Sequence, residues 1–274
     1  MDSIVLLGTG CPSPSHERFG PSTLVTSGNQ NILIDAGSGV TQRLSEHGLK
    51  PSAIDIILIT HLHSDHIVDL YQLYISGWHS GRTKPFKLVG PRGIEKFFNR
   101  TMEAYDDELS LRIEWEKRPN KGGLEIEIIE INEEFTFDDQ DIKIKSIEVQ
   151  HQPVEPAYGY EFLVKNKKVT YSGDTKYSKN LENASKNAEY LIHEVFVDLN
   201  FDDKRMTQDT LKNVREYHST PEDVGKLAQA ANVKNLVLNH FVPPVFDEEL
   251  LKNEISKYYD GKIIVGSDLD VFNL

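Results

Sequence analysis

Residues 124–131 and 142–149 alternate apolar and charged side chains, the period-two signature of strands with one wet face. Shorter runs at 4–7, 54–59, 86–89, 191–192, 236–238 and 262–265 are almost wholly apolar, as strands covered on both faces are. Two hairpins are predicted, one joining 22–27 to 31–34 across Gly28-Asn29, the other joining 162–164 to 169–171 across residues 165–168. Helical stretches fall between the strands, at 40–47 closed by Gly48, at 67–77, at 92–105 and at 221–231. Strands outnumber helices and the helices are interspersed, so the pattern predicts two sheets packed face to face with helices outside.

The densest chemistry follows the run that starts at Ile54. Thr60-His61-Leu62-His63-Ser64-Asp65-His66 places three histidines and an aspartate within six residues. Imidazole nitrogens and a carboxylate oxygen are the ligands of a borderline cation such as Zn²⁺. In extended chain His61 and His63 point the same way and can grip one ion; after a turn, Asp65 and His66 can point at a second. Two ions ~3.5–4 Å apart form a clamp for hydrolysis. A single histidine is more often an ordinary core or surface group, the reading given to His16, His47, His79 and His193. Three later apolar runs repeat the arrangement, ending at His151, Asp174 and His240. Each delivers one ligand-type residue from a strand end, where side chains are held rigidly. Asp35, closing the strand at 31–34, is placed to brace the metal loop by hydrogen bonds. Gly8-Thr9-Gly10 lacks the further glycine and the lysine of a phosphate-binding loop.

Length and composition narrow the class. A chain of 274 residues supports one large core, read as a single domain over 1–274. With 38% hydrophobic and 27% charged residues it reads as an ordinary globule. One cysteine, Cys11, excludes an intramolecular disulfide and suits a reducing compartment, and the expected location is the cytoplasm. Its expected role is that of a small buried hydrophobe. No run approaches the ~20 apolar residues of a membrane span, and the first residues carry an acid and enter a strand at once, without a signal peptide. A net charge of −13 disfavours broad nucleic-acid binding, which needs basic surface to displace counterions.

These motifs together resemble those of the metallo-β-lactamase-fold hydrolases, and within them the ribonuclease Z and arylsulfatase-like branch. The resemblance is carried by Leu7-Gly8-Thr9-Gly10, the metal run from Thr60 to His66, Ser172-Gly173-Asp174-Thr175, Ile192-His193-Glu194 and His218-Ser219-Thr220, in the family's order along nearly the whole chain. It implies a four-layer αββα sandwich with the site along one edge of the sheets. It implies that His61, His63 and His151 hold one metal, that Asp65, His66 and His240 hold a second, and that Asp174 bridges them. The cofactors would be two divalent ions, Zn²⁺ first, with Mn²⁺ and Fe accepted by the same nitrogen and oxygen donors. A hydroxide between the ions would attack phosphorus, sulfur or a carbonyl carbon. Asp65, His218 and Glu194 are the expected catalytic residues, His218 serving the leaving oxygen and Glu194 orienting it. Ser219 or Thr220 before Pro221 also reads as a helix cap, with His218 its neighbour; the two readings are compatible. Trp78, Arg82 and Tyr158 lie near the ligand segments in sequence and are candidates for the substrate pocket.

Ribonuclease Z proteins usually carry a long arm that clasps tRNA, between the segments matching Tyr158-Gly159-Tyr160 and Gly173-Asp174. Here that interval is a tight hairpin turning at Lys165-Asn166-Lys167-Lys168. The expected reaction is therefore hydrolysis of small phosphodiester or sulfate esters. The alternatives are tRNA 3′ processing, lactone or carboxylic-ester hydrolysis, and a non-catalytic metal-binding protein. The expected partner is a small ester, with nucleic acid second and no membrane, and the resemblance implies a homodimer.

Overall fold

Two seven-stranded sheets face each other, and each half of the chain builds one of them. The computed structural model describes residues 2–199 and 207–274. The first sheet takes β1 (Ser3–Gly8), β2 (Ser22–Ser27), β3 (Gln30–Ile34), β4 (Ile56–Leu58), β5 (Phe86–Pro91) and β6 (Ile126–Ile131). The second takes β7 (Thr136–Asp138), β8 (Ile142–Val149), β9 (Ala157–Val164), β10 (Lys167–Tyr171), β11 (Tyr190–Phe196), β12 (Asn235–Val242) and β13 (Lys262–Val265). The final strand, β14 (Val271–Asn273), crosses back to pair antiparallel with β1. Hairpin connections are antiparallel, whereas β3-β4-β5-β6 and β10-β11-β12-β13 run parallel, joined through helices as parallel strands must be.

The alternation of side chains sorts the core into three layers. Between the sheets, Ile4, Leu6, Val25 and Leu58 from one side meet Tyr160, Phe162, Val169 and Val237 from the other. The opposite face of the first sheet buries Val5, Leu33 and Ile57 against α1 (Val40–Glu46), α3 (Leu70–His79) and α4 (Ile94–Ala104). The opposite face of the second buries Leu191, Val195 and Leu238 against α6 (Lys179–Ala184), α8 (Pro221–Ala230) and α9 (Glu248–Ile255). Each fully buried aliphatic side chain stabilises by about 1.5–3 kcal/mol relative to exposure. The result is the expected four-layer αββα sandwich. Among the described residues no helix is long and apolar enough to cross a membrane.

Several elements depart from the sequence reading. The helix expected at 67–77 is two pieces, α2 (Ser64–Ile67) and α3, because the metal run itself folds into the first turn. Four helices fall outside the sequence reading, α6, α9, α5 (Asp106–Glu116) and α7 (Gln208–Arg215), and the last two carry few buried apolar positions. The β9–β10 hairpin is tighter than expected: Val164 pairs with Lys167, so the turn is Lys165-Asn166 alone.

Candidate metal centre

The donor side chains converge where strands of both sheets end on the same edge. After β4 the chain leaves the sheet through Thr60, whose amide donates to Asp35 Oδ1 at 2.8 Å. Asp35 sits just past β3 in the left-handed region, at φ 60°, which a short polar side chain tolerates. That turn buries its carboxylate completely, where Oδ2 faces His66 Nδ1 at 2.8 Å and Thr60 Oγ1 at 2.9 Å. His61 and His63 project from the extended stretch that follows, and Asp65 and His66 from α2.

His151 follows β8 by two residues. Asp174 follows Gly173, whose φ of 58° and closeness to Tyr158 O (2.5 Å from a Cβ placed there) both demand glycine. His240 arrives differently from the strand-end placement the sequence suggests. β12 runs on to Val242, and Glu194 pairs with Asn239 while Val195 pairs with Phe241. His240 is the extra residue of a bulge, at φ 42°, and the bulge aims its ring at the site.

Two groups of donors result. His63 Nδ1 lies 2.9 Å from His61 Nε2 and 3.0 Å from His151 Nε2. Asp65 Oδ2 lies 3.5 Å from His66 Nε2 and 3.3 Å from His240 Nε2. One oxygen, Asp174 Oδ2, faces both: it is 3.4 Å from His66 Nε2 and from His240 Nε2, and 3.8 and 3.9 Å from His61 Nε2 and His151 Nε2. Within each group the donor atoms lie within 4.8 Å of one another.

The chemistry of the donors fits cations. His151 Nδ1 donates to Tyr217 O at 2.8 Å and His66 Nδ1 to Asp35, so in both rings Nε2 is the nitrogen turned inward, free to offer a lone pair to a cation that displaces any proton there. Three imidazole nitrogens pressed together with at most one proton among each pair are unsatisfied unless a cation lies between them. Burial lowers His61 well below the usual histidine range, lowers His63, and brings His151 down to about 4, so these rings stay unprotonated. Around the other group burial is opposed by carboxylates. Asp174, Asp35 and Asp65 together hold His66 well above its ordinary value, and Asp174 and Asp65 raise His240. The Asp174 carboxyl is itself held well below the usual range, the nearby His240 and His66 outweighing its burial. The site therefore concentrates negative potential that only positive charge relieves. The fold and this His/Asp set suit two divalent ions.

His218 stands beside this cluster, its donor grouped with those of Asp174 and His240. Its Nδ1 is 2.9 Å from Glu194 Oε1, which also accepts from the amides of Thr175 (3.0 Å) and Ser219 (3.3 Å). Thr220 then caps α8: its hydroxyl accepts from Asp223 N while the Asp223 carboxylate accepts from Thr220 N. The cap and the histidine thus belong to one loop. A cavity of about 240 Å³ opens onto the donors, walled by His63, Asp65, Asp174, His218 and His240 and, opposite, by Cys11, Val214, Tyr217 and Val242. A second cavity of about 340 Å³ adjoins it across Cys11, Ser64 and Asp65, with Arg18 and Phe19 at its far end.

Three residues expected at the substrate pocket are elsewhere. Trp78 is 1% exposed and packs with Ile75 and Leu109 under the outer helices. Arg82 is 2% exposed; its guanidinium lies 3.7 Å over the Phe86 ring and donates to the carbonyls of Ser52, Ile54 and Pro85. Tyr158 turns between the sheets, its hydroxyl donating to Ile131 O. Nearness in sequence to the ligand segments misplaces all three: α3 carries Trp78 and the loop with Arg82 away from the metal run, and Tyr158 on β9 points between the sheets. The sequence reading missed Tyr217, whose one signal was its position directly before His218, and gave Cys11 no place at the site.

Comparison with known proteins places the chain. Residues 30–241 match the Beta-lactamase superfamily domain. Over nearly its full length the chain is similar to the Ribonuclease Z of Mycobacterium marinum, 31% identical over 277 residues that cover 98% of this chain and 97% of that one. Among solved structures it is similar to the metallo-beta-lactamase fold protein YhfI from Bacillus subtilis, with a TM-score of 0.76 at 19% identity, covering 99% and 98% of the two chains. It is also similar to the short form of human tRNase Z, with a TM-score of 0.72 at 24% identity and the same coverage.

Proposed function

This chain belongs to the β-lactamase superfamily and is a metal-dependent hydrolase of the metallo-β-lactamase fold; from that premise we propose that it hydrolyses small phosphodiesters at a dinuclear site. His61, His63 and His151 would hold one ion and Asp65, His66 and His240 the other, with Asp174 shared. The observation that carries this reading is the single oxygen, Asp174 Oδ2, set 3.4–3.9 Å from four imidazole nitrogens of the two groups. Bound there, two ions supply Lewis acidity toward both the attacking and the departing oxygen of an in-line displacement and bring the pKa of a water toward ~7.

The remaining steps fall to side chains. Asp35 fixes the His66 ring through Nδ1 and the backbone through Thr60, and Tyr217 O fixes His151. Water attacks phosphorus, the P–O bond to the leaving group breaks, and the departing oxygen takes a proton. His218 is placed to give that proton from Nε2, with Nδ1–H held by Glu194. Asp65 would offer its ligand oxygen beside His240, the two donor atoms 3.3 Å apart.

The cavity of about 240 Å³ beside the donors and its neighbour of about 340 Å³ together are of the size of ordinary ligand pockets, ~300–1,000 Å³. A small substrate is supported by the net charge of −13 and by the two-residue turn at Lys165-Asn166, which leaves no room for an arm between β9 and β10. A second reading, RNA 3′ processing, is favoured by the full-length similarity to a protein named Ribonuclease Z. Purified protein loaded with Zn²⁺ or Mn²⁺ is to be tested on an aryl phosphodiester, an aryl sulfate, a lactone and a precursor tRNA. The highest kcat/KM is expected on the phosphodiester. Cleavage of the tRNA without turnover of the diester would reverse the order of the two readings, and a leading rate on the sulfate or lactone would replace both.

A further inference from the structure

The cavity beside the donors has one wall with no part in holding ions or moving protons. Cys11 and Val242 are buried there with Phe196, and Leu211 and Val214 of α7 pack over them. Burial pushes the Cys11 thiol up to about 11, so this wall carries no charge. Tyr217 closes it. Its carbonyl is held by His151, and its ring meets the His151 ring edge-on, at 85° and 5.1 Å between centroids, with the His218 ring 4.7 Å away. The side chain is half-buried, and its hydroxyl has no hydrogen-bond partner among the described residues. An aromatic side chain whose hydroxyl has no partner among the described residues thus lines the cavity beside the candidate donors.

We propose that Tyr217, with Cys11, Val214 and Val242, forms a subsite for a planar aromatic group carried by the substrate, a nucleobase or an aryl ring joined to the phosphoryl group. The Tyr217 ring offers the stacking face, and its hydroxyl donates to an acceptor on the ring or on a phosphoryl oxygen. Stacking is tolerant of ring identity because every planar base has a π-face, and the uncharged side chains of Cys11, Val214 and Val242 beside Tyr217 suit the apolar edge of such a ring. On this reading the preferred phosphodiester carries a planar aromatic group in place of an alkyl one. This rests on the phosphodiesterase reading, and the test separates the two.

The metal-loaded full chain is to be inhibited with three product-like monophosphates: a nucleoside 5′-monophosphate, phenyl phosphate and butyl phosphate. Wild-type protein is expected to bind the two aromatic compounds more tightly than butyl phosphate. Tyr217→Ala is expected to raise their inhibition constants about tenfold and leave that of butyl phosphate unchanged, about the effect of losing one stacked ring. Tyr217→Leu, which keeps the bulk that packs on His218, should lose the same preference, and Tyr217→Phe should keep most of it. A nucleoside monophosphate bound tighter than phenyl phosphate identifies a base subsite; equal binding identifies a general aryl subsite. Equal inhibition of wild type by all three, or an equal loss for all three in Tyr217→Leu, overturns the proposal. Failure of wild type to turn over any phosphodiester would instead remove the reading beneath it.

Discussion

Replacing Glu194 with Gln isolates what one buried carboxylate does for the site. Oε1 accepts three hydrogen bonds, from His218 Nδ1 and the amides of Thr175 and Ser219, and the residue is 2% exposed. Gln keeps the size and a carbonyl but not the charge. A hydrogen bond to a charged group contributes about 1.5–3 kcal/mol against about 1 for a neutral pair, so three weakened bonds destabilise the fold by about 2 kcal/mol. In a chain of this length that is a fall in Tm of about 4–8 °C. Activity should fall further, because a general acid contributes ~10²–10⁴-fold and the imidazole loses its orientation: a drop of about 10²–10³ in kcat is expected. Ion content should stay at wild-type level, since Glu194 touches none of the seven candidate ligands' donor atoms. Steady-state turnover of an aryl phosphodiester, thermal unfolding and metal analysis read the three quantities. The double variant His218→Ala with Glu194→Gln should be no slower than His218→Ala alone, as residues acting as a unit are not additive. A Glu194→Gln protein with kcat within twofold of wild type, or a double variant slower by the product of the single effects, would refute the idea that Glu194 acts through His218.

The metal-free protein should lose stability as pH falls from about 6.5 to about 4. His151 binds its proton near 4 when folded and near 6.5 when unfolded, so in that window the unfolded chain holds more protons and folding weakens, by about 3 kcal/mol. His66 and His240, raised when folded, contribute oppositely: their share is full below 6.5 and is lost as pH rises through their folded values. Thermal unfolding of chelator-treated protein across pH 4–8 reads this, and a Tm that does not fall on acidification contradicts the buried, unprotonated state of His151. Arg82→Met should cost about 3 kcal/mol, since three carbonyls lose a donor, while kcat/KM at low temperature stays within twofold; a KM effect without a Tm effect would return Arg82 to the substrate pocket. Thr220→Ala removes the α8 cap and should lower stability by about 1 kcal/mol, about 2–4 °C in Tm, with His218 still held by Glu194. Loss of kcat beyond tenfold there would mean the cap, not the carboxylate, positions His218.

The layers and most of the donors were legible because both are written in the same signal. A buried strand is an apolar run, and the donor set rides on the ends of such runs, so His61, His151 and Asp174 could be placed from periodicity alone. His240 shows where that stops. Its bulge arises from how β12 registers against β11, a pairing between distant stretches that no local pattern encodes. Helix α5 was illegible for another reason: Leu111 and Trp115 are 57% and 81% exposed, so its few apolar residues do not mark a buried face. Tyr217 was missed because one aromatic beside a histidine looks the same whether it packs or faces a cavity. Trp78 and Arg82 misled because a large or charged residue near a motif suggests function, whereas Trp78 packs under the outer helices and Arg82 spends its guanidinium on the carbonyls of Ser52, Ile54 and Pro85.

The return of β14 to β1 bears on when, in the making of the chain, the site comes into being. His240 is synthesised 174 residues after His66, long after the other donors of the metal run, and β1 has no outer neighbour until residues 271–273 arrive. Asp268 then anchors the Thr9 and Phe19 amides, fixing the loop that walls the cavity. A polypeptide cut between Asp174 and His240 would therefore carry a cradle short of one donor and a first sheet with an open flank.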